Sequence, residues 1–165
     1  MPPIVSIVGT SKTGKTTLVV ALIKELKSRG YHVATIKHCH HALTFDHANK
    51  DSWRHMEAGS EAAGIVSLDQ IFLVKPKPVA EYPDLNKITR MFGEDYDIIL
   101  AEGFKQGDTP KIEVHRKSAG PPLSGTTNLV AIATDEPLET RIRQFSLQDI
   151  KGIADFLENS FIKPK

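Results

Sequence analysis

The stretch Gly9-Thr10-Ser11-Lys12-Thr13-Gly14-Lys15-Thr16 decides the fold, because it matches the pattern G-x-x-x-x-G-K-T at every fixed position. A nearly all-apolar, β-branched run, Ile4–Val8, comes directly before it. Apolar residues at helical spacing follow it, namely Leu18, Val19, Leu22, Ile23 and Leu26. A buried strand, a glycine loop and an amphipathic helix, in that order, are the context in which this motif binds phosphates. The sequence therefore predicts a nucleotide site at residues 9–16.

Each fixed position of the motif has a physical role at a nucleotide. The glycines let backbone N–H groups turn inward around the phosphates, and the positive N-terminal end of the following helix adds to them. We expect the ammonium of Lys15 to be exposed until it meets the β- and γ-phosphates, and the hydroxyl of Thr16 to ligate Mg²⁺. Phosphate contacts are assigned to the whole run Gly9, Thr10, Ser11, Lys12, Thr13, Gly14, Lys15 and Thr16.

The rest of the chain alternates between strand-like and helix-like segments. Strands are predicted at residues 31–37, 97–101, 112–115 and 129–133, and residues 65–74 form one bent strand or two short ones. Helices are predicted at residues 52–63 and 84–92 and after Ser146, which serves as an N-cap with Asp149 three residues on. This order predicts an α/β protein with the three-layer P-loop NTPase fold and a mostly parallel central sheet. We treat residues 1–165 as one P-loop nucleotide-binding domain, with residues 64–80 as a candidate β-hairpin insertion.

Composition excludes several classes of protein. Lys and Arg number 21 against 20 Asp and Glu, so the balance gives no electrostatic case for binding nucleic acid. Cys39 is the only cysteine, which excludes an internal disulfide and a cysteine-based zinc site and favours the reducing cytoplasm. No apolar stretch approaches the ~20 residues that cross a membrane. We therefore expect a cytoplasmic protein that binds neither nucleic acid nor membrane.

A magnesium site also needs a carboxylate near the phosphates. Asp97 and Glu102 bracket one predicted strand, and only Glu102 stands at its carboxyl end. Ligands of open α/β sheets bind beyond the carboxyl ends of the strands, so Glu102 is the favoured partner of Thr16. Gly103 beside it permits close approach. The alternative is that Glu102 is an ordinary surface glutamate.

A polar loop follows the second predicted strand and is rich in histidine. Zinc or nickel binding is one interpretation, although three of the histidines are nearly consecutive, a poor spacing for one tetrahedral site. A plain solvated loop is another. We favour a loop that senses the anion and Mg²⁺, with Asp51 and also Asp46 near the metal. The loop contains His38, Cys39, His40, His41, Asp46, His47 and Asp51.

A second group of cations follows two other strand ends: Lys105, Lys111, Arg116 and Lys117. These side chains either form an ordinary solvated surface or bind a second anionic ligand or a partner protein beside the nucleotide. The sequence favours neither alternative.

Four segments in series resemble the MobB family, the molybdopterin-guanine dinucleotide biosynthesis protein B. They are GTSKTGKTT at residues 9–17, IKHCHH at residues 36–41, KDSWRH at residues 50–55 and AEGFK at residues 101–105. The resemblance implies a homodimeric adaptor that binds GTP with Mg²⁺ and is a weak GTPase. It also implies a partner, either the molybdopterin guanylyltransferase that joins GMP to molybdopterin or a molybdenum-cofactor-binding protein. Carried over by position, the nucleotide loop falls on residues 9–17, which adds Thr17, and the acidic strand end falls on Glu102.

The motif, the strand position and the resemblance together assign roles to individual side chains. Lys15, Asp51 and Glu102 become the candidate catalytic residues, and Thr16, Asp51 and Glu102 the candidate Mg²⁺ ligands. Two residues depart from the family. Lys12 stands where the family usually has a small residue, and Asn49 replaces a usual glycine.

The sequence lacks the N-K-x-D tetrapeptide that usually recognises guanine. Asp135 follows the strand at residues 129–133 through Thr134, where a carboxylate can accept from the guanine N1–H and N2–H₂ pair. A turn aspartate before Pro137 is the equally weighted alternative. Two other functions stay open: a GTPase that inserts nickel, and a small-molecule kinase or ATP-dependent ligase.

Overall fold

A computed structural model describes residues 1–39, 50–76 and 82–163. The chain forms two compact units, one from Met1–His38 with Pro83–Lys165 and the other from Cys39–Tyr82. The strands of the first unit are β1 Ile4–Val8, β2 Val33–Lys37, β5 Ile98–Glu102, β6 Lys111–His115, β7 Leu129–Thr134 and β8 Arg143–Ser146. Its helices are α1 Lys15–Ser28, α3 Leu85–Thr89 and α4 Ile150–Phe161. The second unit contains α2 Asp51–Glu57, β3 Ala63–Val66 and β4 Ile71–Val74.

The first unit is built on a six-stranded sheet with the order β2-β5-β1-β6-β7-β8. Every neighbouring pair of strands in this sheet is parallel. Strand β1 lies near the centre, so the loop that follows it opens at the carboxyl edge between β5 and β6. The α/β fold class and the parallel sheet predicted from the sequence are confirmed.

Helices cover both faces of this sheet. Alternate residues of a strand point to opposite faces, and Ile98 and Leu100 of β5 pack with α1 and α4 in the main core. Ala101 of the same strand packs instead with Leu85 of α3 and with Phe104. Residues buried on both faces explain why β1 and β5 read as continuous apolar runs. The arrangement confirms the three-layer prediction.

The second unit contains a β-hairpin. Strands β3 and β4 pair in antiparallel register, with Ala63 opposite Val74 and Val66 opposite Ile71. The turn is closed by the Ser67 N–H, which donates to the carbonyl of Gln70 at 2.8 Å. Of the two forms predicted for residues 65–74, the pair of short strands is the one observed. Residues 77–80 of the candidate insertion lie outside the described residues.

The prediction for the last helix is wrong at its start. Ser146 belongs to β8, which lies beside β7 with Phe145 opposite Ala133, so pairing with a neighbouring strand overrides the capping pattern. Helix α4 begins at Ile150, and Asp149 is its N-cap, with a side chain that accepts from the Gly152 N–H at 3.0 Å. The helical apolar face is as predicted, with Ile153 and Leu157 fully buried.

Two other helices are shorter than predicted. Helix α2 ends at Glu57, where Ala58 caps it and Gly59 follows with φ 101°, a conformation that glycine adopts without strain. Helix α3 ends at Thr89, and its N-cap Asp84 accepts from the N–H groups of Asn86 and Lys87. In the part of the chain that the structure describes, no helix is long and apolar enough to span a membrane.

Candidate functional site

The loop between β1 and α1 has a backbone that glycine makes feasible. Gly9 has φ 150°, and a Cβ there would lie 2.5 Å from the carbonyl oxygen of Val114 and 2.9 Å from Thr13 Oγ1. Gly14, the N-cap of α1, has φ 99° in the left-handed region. Lys12 also adopts a left-handed conformation, with φ 64°, and its side chain is exposed. The two glycines of the motif therefore stand where a side chain would clash or strain the loop.

Side chains of the loop converge on one carbonyl. The oxygen of Thr10 accepts from Lys15 Nζ at 2.6 Å and from Thr13 Oγ1 at 3.1 Å. Lys15 is half-buried, and its ammonium is hydrogen-bonded to the Thr10 carbonyl. The prediction that its side chain is exposed is therefore wrong. Burial lowers the pKa of Lys15, and so does the positive charge of Lys105; Glu102 opposes them. Cations thus lie close together beside the loop at residues 9–16, for which phosphate binding is predicted.

Glu102 lies beside the phosphate loop, as predicted. The parallel register sets it opposite Ile7 of β1, next to the strand end from which the loop emerges. Its Oε1 accepts from Thr16 Oγ1 at 2.8 Å and lies 3.4 Å from Lys37 Nζ. A hydroxyl and a carboxylate in contact are an oxygen donor set that suits Mg²⁺. The predicted juxtaposition of Thr16 and Glu102 is therefore present.

Asp97 lies at the opposite end of the same strand. Its Oδ2 accepts from the backbone N–H of His32 at 2.7 Å, just before β2. The carboxylate therefore helps to align two neighbouring strands at their amino ends. Because Glu102 ends the strand that Asp97 precedes, Glu102 stands at the carboxyl edge of the sheet and Asp97 does not.

The chain leaves β5 through a tight turn that contacts the end of β2. Gly103 has φ 98°, and a Cβ there would come within 3.0 Å of His38 Cβ. The close contact observed at Gly103 is with His38, and the approach to phosphates predicted for this glycine stays a prediction. The His38 ring stacks on Phe104 with centroids 5.0 Å apart, and the His38 N–H donates to the Glu102 carbonyl at 3.0 Å. These contacts hold the end of β2 against the end of β5.

Asp135 follows β7 and is held by the segment after β6. Its Oδ1 accepts from the Lys117 N–H at 2.9 Å, and its Oδ2 lies 3.6 Å from Arg116 Nη1. The contact with Lys117 is what a turn aspartate makes, while the position at a strand end is what base recognition requires. Both interpretations of Asp135 stay predictions.

Arg116 is a residue of this site that the sequence analysis placed only in a general group of cations. Its Nε donates to the carbonyl of Thr13 at 2.9 Å, so the guanidinium contacts the phosphate loop itself. The signal in the sequence is its position directly after β6. That position becomes informative only with the strand order, because β6 is the neighbour of β1.

The second group of cations does not form one surface. Lys111 is fully buried, and its Nζ donates to the carbonyls of Gly107, Thr109 and Thr127, so its inclusion was wrong. Lys111 is the first residue of β6, so it lies at the opposite end of that strand from Arg116 and Lys117. Lys117 Nζ lies 3.6 Å from Glu136 Oε2, and its side chain is exposed.

The histidine loop is only partly represented in the structure. His40, His41, Asp46 and His47 lie outside the described residues. Asp51 begins α2 in the second unit, and its role at the metal stays a prediction. Within residues 1–39, 50–76 and 82–163, no group of three or more His, Cys, Asp and Glu side chains is placed to hold a metal ion.

Comparison with known proteins points to one family. The profile of the family described as "MobB: Molybdopterin guanine dinucleotide synthesis protein B" matches residues 4–135. The chain is 40% identical over 161 residues to the molybdopterin-guanine dinucleotide biosynthesis adapter protein of Haemophilus influenzae, covering 95% of this chain and 88% of that protein. It is 35% identical over 161 residues to the Escherichia coli adapter protein of the same description, covering 95% and 92%. A crystal structure of molybdopterin-guanine biosynthesis protein B superposes with a TM-score of 0.71 at 26% identity, covering 94% of this chain and 97% of that one.

Proposed function

The chain belongs to the MobB family, and from that membership we propose that it is a GTP-binding accessory protein of molybdenum-cofactor biosynthesis. In this role it assists the attachment of GMP to molybdopterin, which forms molybdopterin guanine dinucleotide, or the delivery of that cofactor. The observation that carries the nucleotide part is the contact of Thr16 with Glu102 at the mouth of the loop that holds Lys15.

In the proposed nucleotide site, the loop at residues 9–17 binds the phosphates, and Glu102 at the end of β5 helps to bind the metal ion. On GTP binding, Lys15 exchanges its bond to the Thr10 carbonyl for phosphate oxygens, while N–H groups of residues 9–17 surround the phosphates. Mg²⁺ would be held by Thr16 and Glu102, with Asp51 as a further proposed ligand, and would neutralise charge on the phosphates. These groups bind and orient the nucleotide without requiring that it be hydrolysed.

We infer that hydrolysis by the isolated protein is slow. An arginine placed on the transferred phosphate can raise the rate ~10³-fold or more. The arginine observed to contact the loop, Arg116, uses its Nε on the Thr13 carbonyl and faces Asp135 with Nη1. The protein therefore acts as a nucleotide-dependent adaptor more than as an efficient enzyme, and Lys15, Asp51 and Glu102 support its weak GTPase activity.

We further propose that the protein is a cytoplasmic homodimer in which the hairpin of β3 and β4 is buried. The hairpin exposes several large apolar side chains: Val66, Leu68, Ile71 and Leu73. Two paired strands alone are marginally stable in water, so an apolar hairpin of this kind gains from a partner surface. A second copy of the chain supplies an identical hairpin, as a two-fold dimer requires.

The biological part of the proposal predicts a physical partner. Tagged protein should retain molybdopterin guanylyltransferase or a cofactor-binding protein from an extract of cells that make the cofactor. Adding the purified chain with GTP should also raise the yield of molybdopterin guanine dinucleotide in a guanylyltransferase assay. A yield that the wild-type chain does not change, together with no retained partner, would refute the accessory role while leaving nucleotide binding open to separate measurement.

A further inference from the structure

Arg116 fixes the direction of a peptide group in the phosphate loop. Its Nε donates to the Thr13 carbonyl at 2.9 Å, and a Cβ on Gly14 would lie 3.6 Å from its Nη2. The peptide between Thr13 and Gly14 is trans, so its C=O and N–H point in opposite directions. Because the carbonyl is held on the Arg116 side, the Gly14 N–H is directed away from the arginine.

The same guanidinium faces the carboxylate at the end of β7. Arg116 Nη1 lies 3.6 Å from Asp135 Oδ2, and the Lys117 N–H holds the other oxygen of Asp135 at 2.9 Å. The side chains of Arg116 and Asp135 are 40% and 34% exposed, so solvent screens the pair only in part. A guanidinium is planar and its donors have fixed directions. One rigid group therefore connects Thr13 with Asp135.

We propose that Arg116 is a positioning residue that couples the phosphate loop to Asp135, the carboxylate assigned to the base. This inference rests on the proposed nucleotide-binding function and specifies how its two ends communicate. When the Asp135 carboxylate moves toward a base, the position of the Arg116 guanidinium changes. The guanidinium in turn orients the Thr13–Gly14 peptide. Affinity for the phosphates and preference for the base are then not independent.

The test is a set of affinities for Mg·GTP and Mg·ATP by isothermal titration. Arg116→Gln should weaken both nucleotides about tenfold, because a charge-assisted hydrogen bond to the loop is lost. It should also lower the ratio of GTP to ATP affinity. Arg116→Lys keeps the charge, but its hydrogen-bond donors all lie on one nitrogen. The ratio of GTP to ATP affinity in Arg116→Lys should therefore fall to the ratio measured for Arg116→Gln. For GTP, the loss in Arg116→Gln combined with Asp135→Asn should be at least about threefold smaller than the product of the single losses.

Lys117→Gln is the matched control for charge. It removes one positive charge from the adjacent residue, whose Nζ lies 3.6 Å from Glu136, and leaves the Lys117 N–H on Asp135 intact. Its effect on either nucleotide should stay below about twofold. Melting temperatures of the nucleotide-free variants check that each one is folded.

The outcomes separate this inference from the function on which it rests. Wild-type protein that binds neither nucleotide would overturn both. Wild-type protein that binds GTP, with Arg116→Lys equal to wild type in affinity and ratio, would overturn the coupling alone and reduce Arg116 to a source of charge. Equal losses in Arg116→Gln and Lys117→Gln, or single losses that multiply in the double variant, would overturn it as well.

Discussion

Lys15 is the residue whose removal should reduce nucleotide affinity most. Lys15→Ala should weaken triphosphate binding by about 10- to 100-fold, because a charged hydrogen bond to the phosphates is lost. The fold should survive, since Nζ bonds only to the Thr10 carbonyl of its own loop in the contacts described. Isothermal titration and a melting curve measure both effects. Lys24→Ala, an exposed lysine on the same helix, is the control, and a folded Lys15→Ala that binds normally would contradict the site.

Substitution of the two carboxylates that bracket β5, Asp97 and Glu102, should have different effects on magnesium-dependent binding. Glu102→Gln should weaken Mg²⁺-dependent binding about tenfold, because Glu102 contacts Thr16 whereas Asp97 bonds to His32 at the far end of the strand. Asp51→Asn should act in the same direction as Glu102→Gln. Asp97→Asn is the matched control, and magnesium titrations at fixed GTP compare the three. A larger effect from Asp97 would mean that the metal lies elsewhere.

Single residues of the site differ in how well the sequence predicts them. Thr16 was predictable because the G-x-x-x-x-G-K-T motif assigns it to Mg²⁺, and Glu102 because it stands at the carboxyl end of a predicted strand. Their contact also requires β5 to lie beside β1, which the sequence did not show. Arg116 was not predictable, because its contact with Thr13 depends on β6 lying beside β1. Lys111 was misread because its burial depends on the carbonyls of Gly107, Thr109 and Thr127, which only the folded structure brings to its ammonium.

Among the elements, helix α4 provides a test of capping. Asp149→Ala should lower the free energy of unfolding by about 1 kcal/mol, because Asp149 accepts from the first turn of the helix. Ser146→Ala should have a smaller effect, since Ser146 lies in β8 and its Oγ contacts Gln148. Urea denaturation of both variants gives the comparison. A larger loss from Ser146 would support the cap predicted from the sequence over the one observed.

The sequence predicted the type of most helices and strands correctly but their end residues less accurately. Residues 129–133 and 112–115 were both predicted as strands, and the structure extends each by a single residue. Strand β8 escaped prediction because its four residues, Arg143–Ser146, carry little pattern of their own and are ordered by pairing with β7. Short edge strands depend on tertiary contacts that no local window contains.

For the whole molecule, the apolar hairpin predicts an assembly. Wild-type protein should sediment as a dimer, and Leu68→Glu with Ile71→Glu should shift it to monomer, because buried carboxylates without partners oppose association. Glu61→Gln, which changes an exposed polar side chain of the same unit, serves as the control. Wild-type protein that sediments as a monomer at micromolar concentration would contradict the dimer.

The relative affinity for GTP and ATP tests the central claim most directly. Contacts at residues 9–16 are common to both nucleotides, so any preference has to come from a group at the base, for which Asp135 is proposed. One buried polar contact discriminates by ~1–3 kcal/mol, and we therefore expect GTP to bind at least about fivefold more tightly than ATP. Asp135→Ala should remove most of that preference. Competition titrations that show equal affinities would contradict the guanine assignment, and the absence of binding to either nucleotide would contradict the account as a whole.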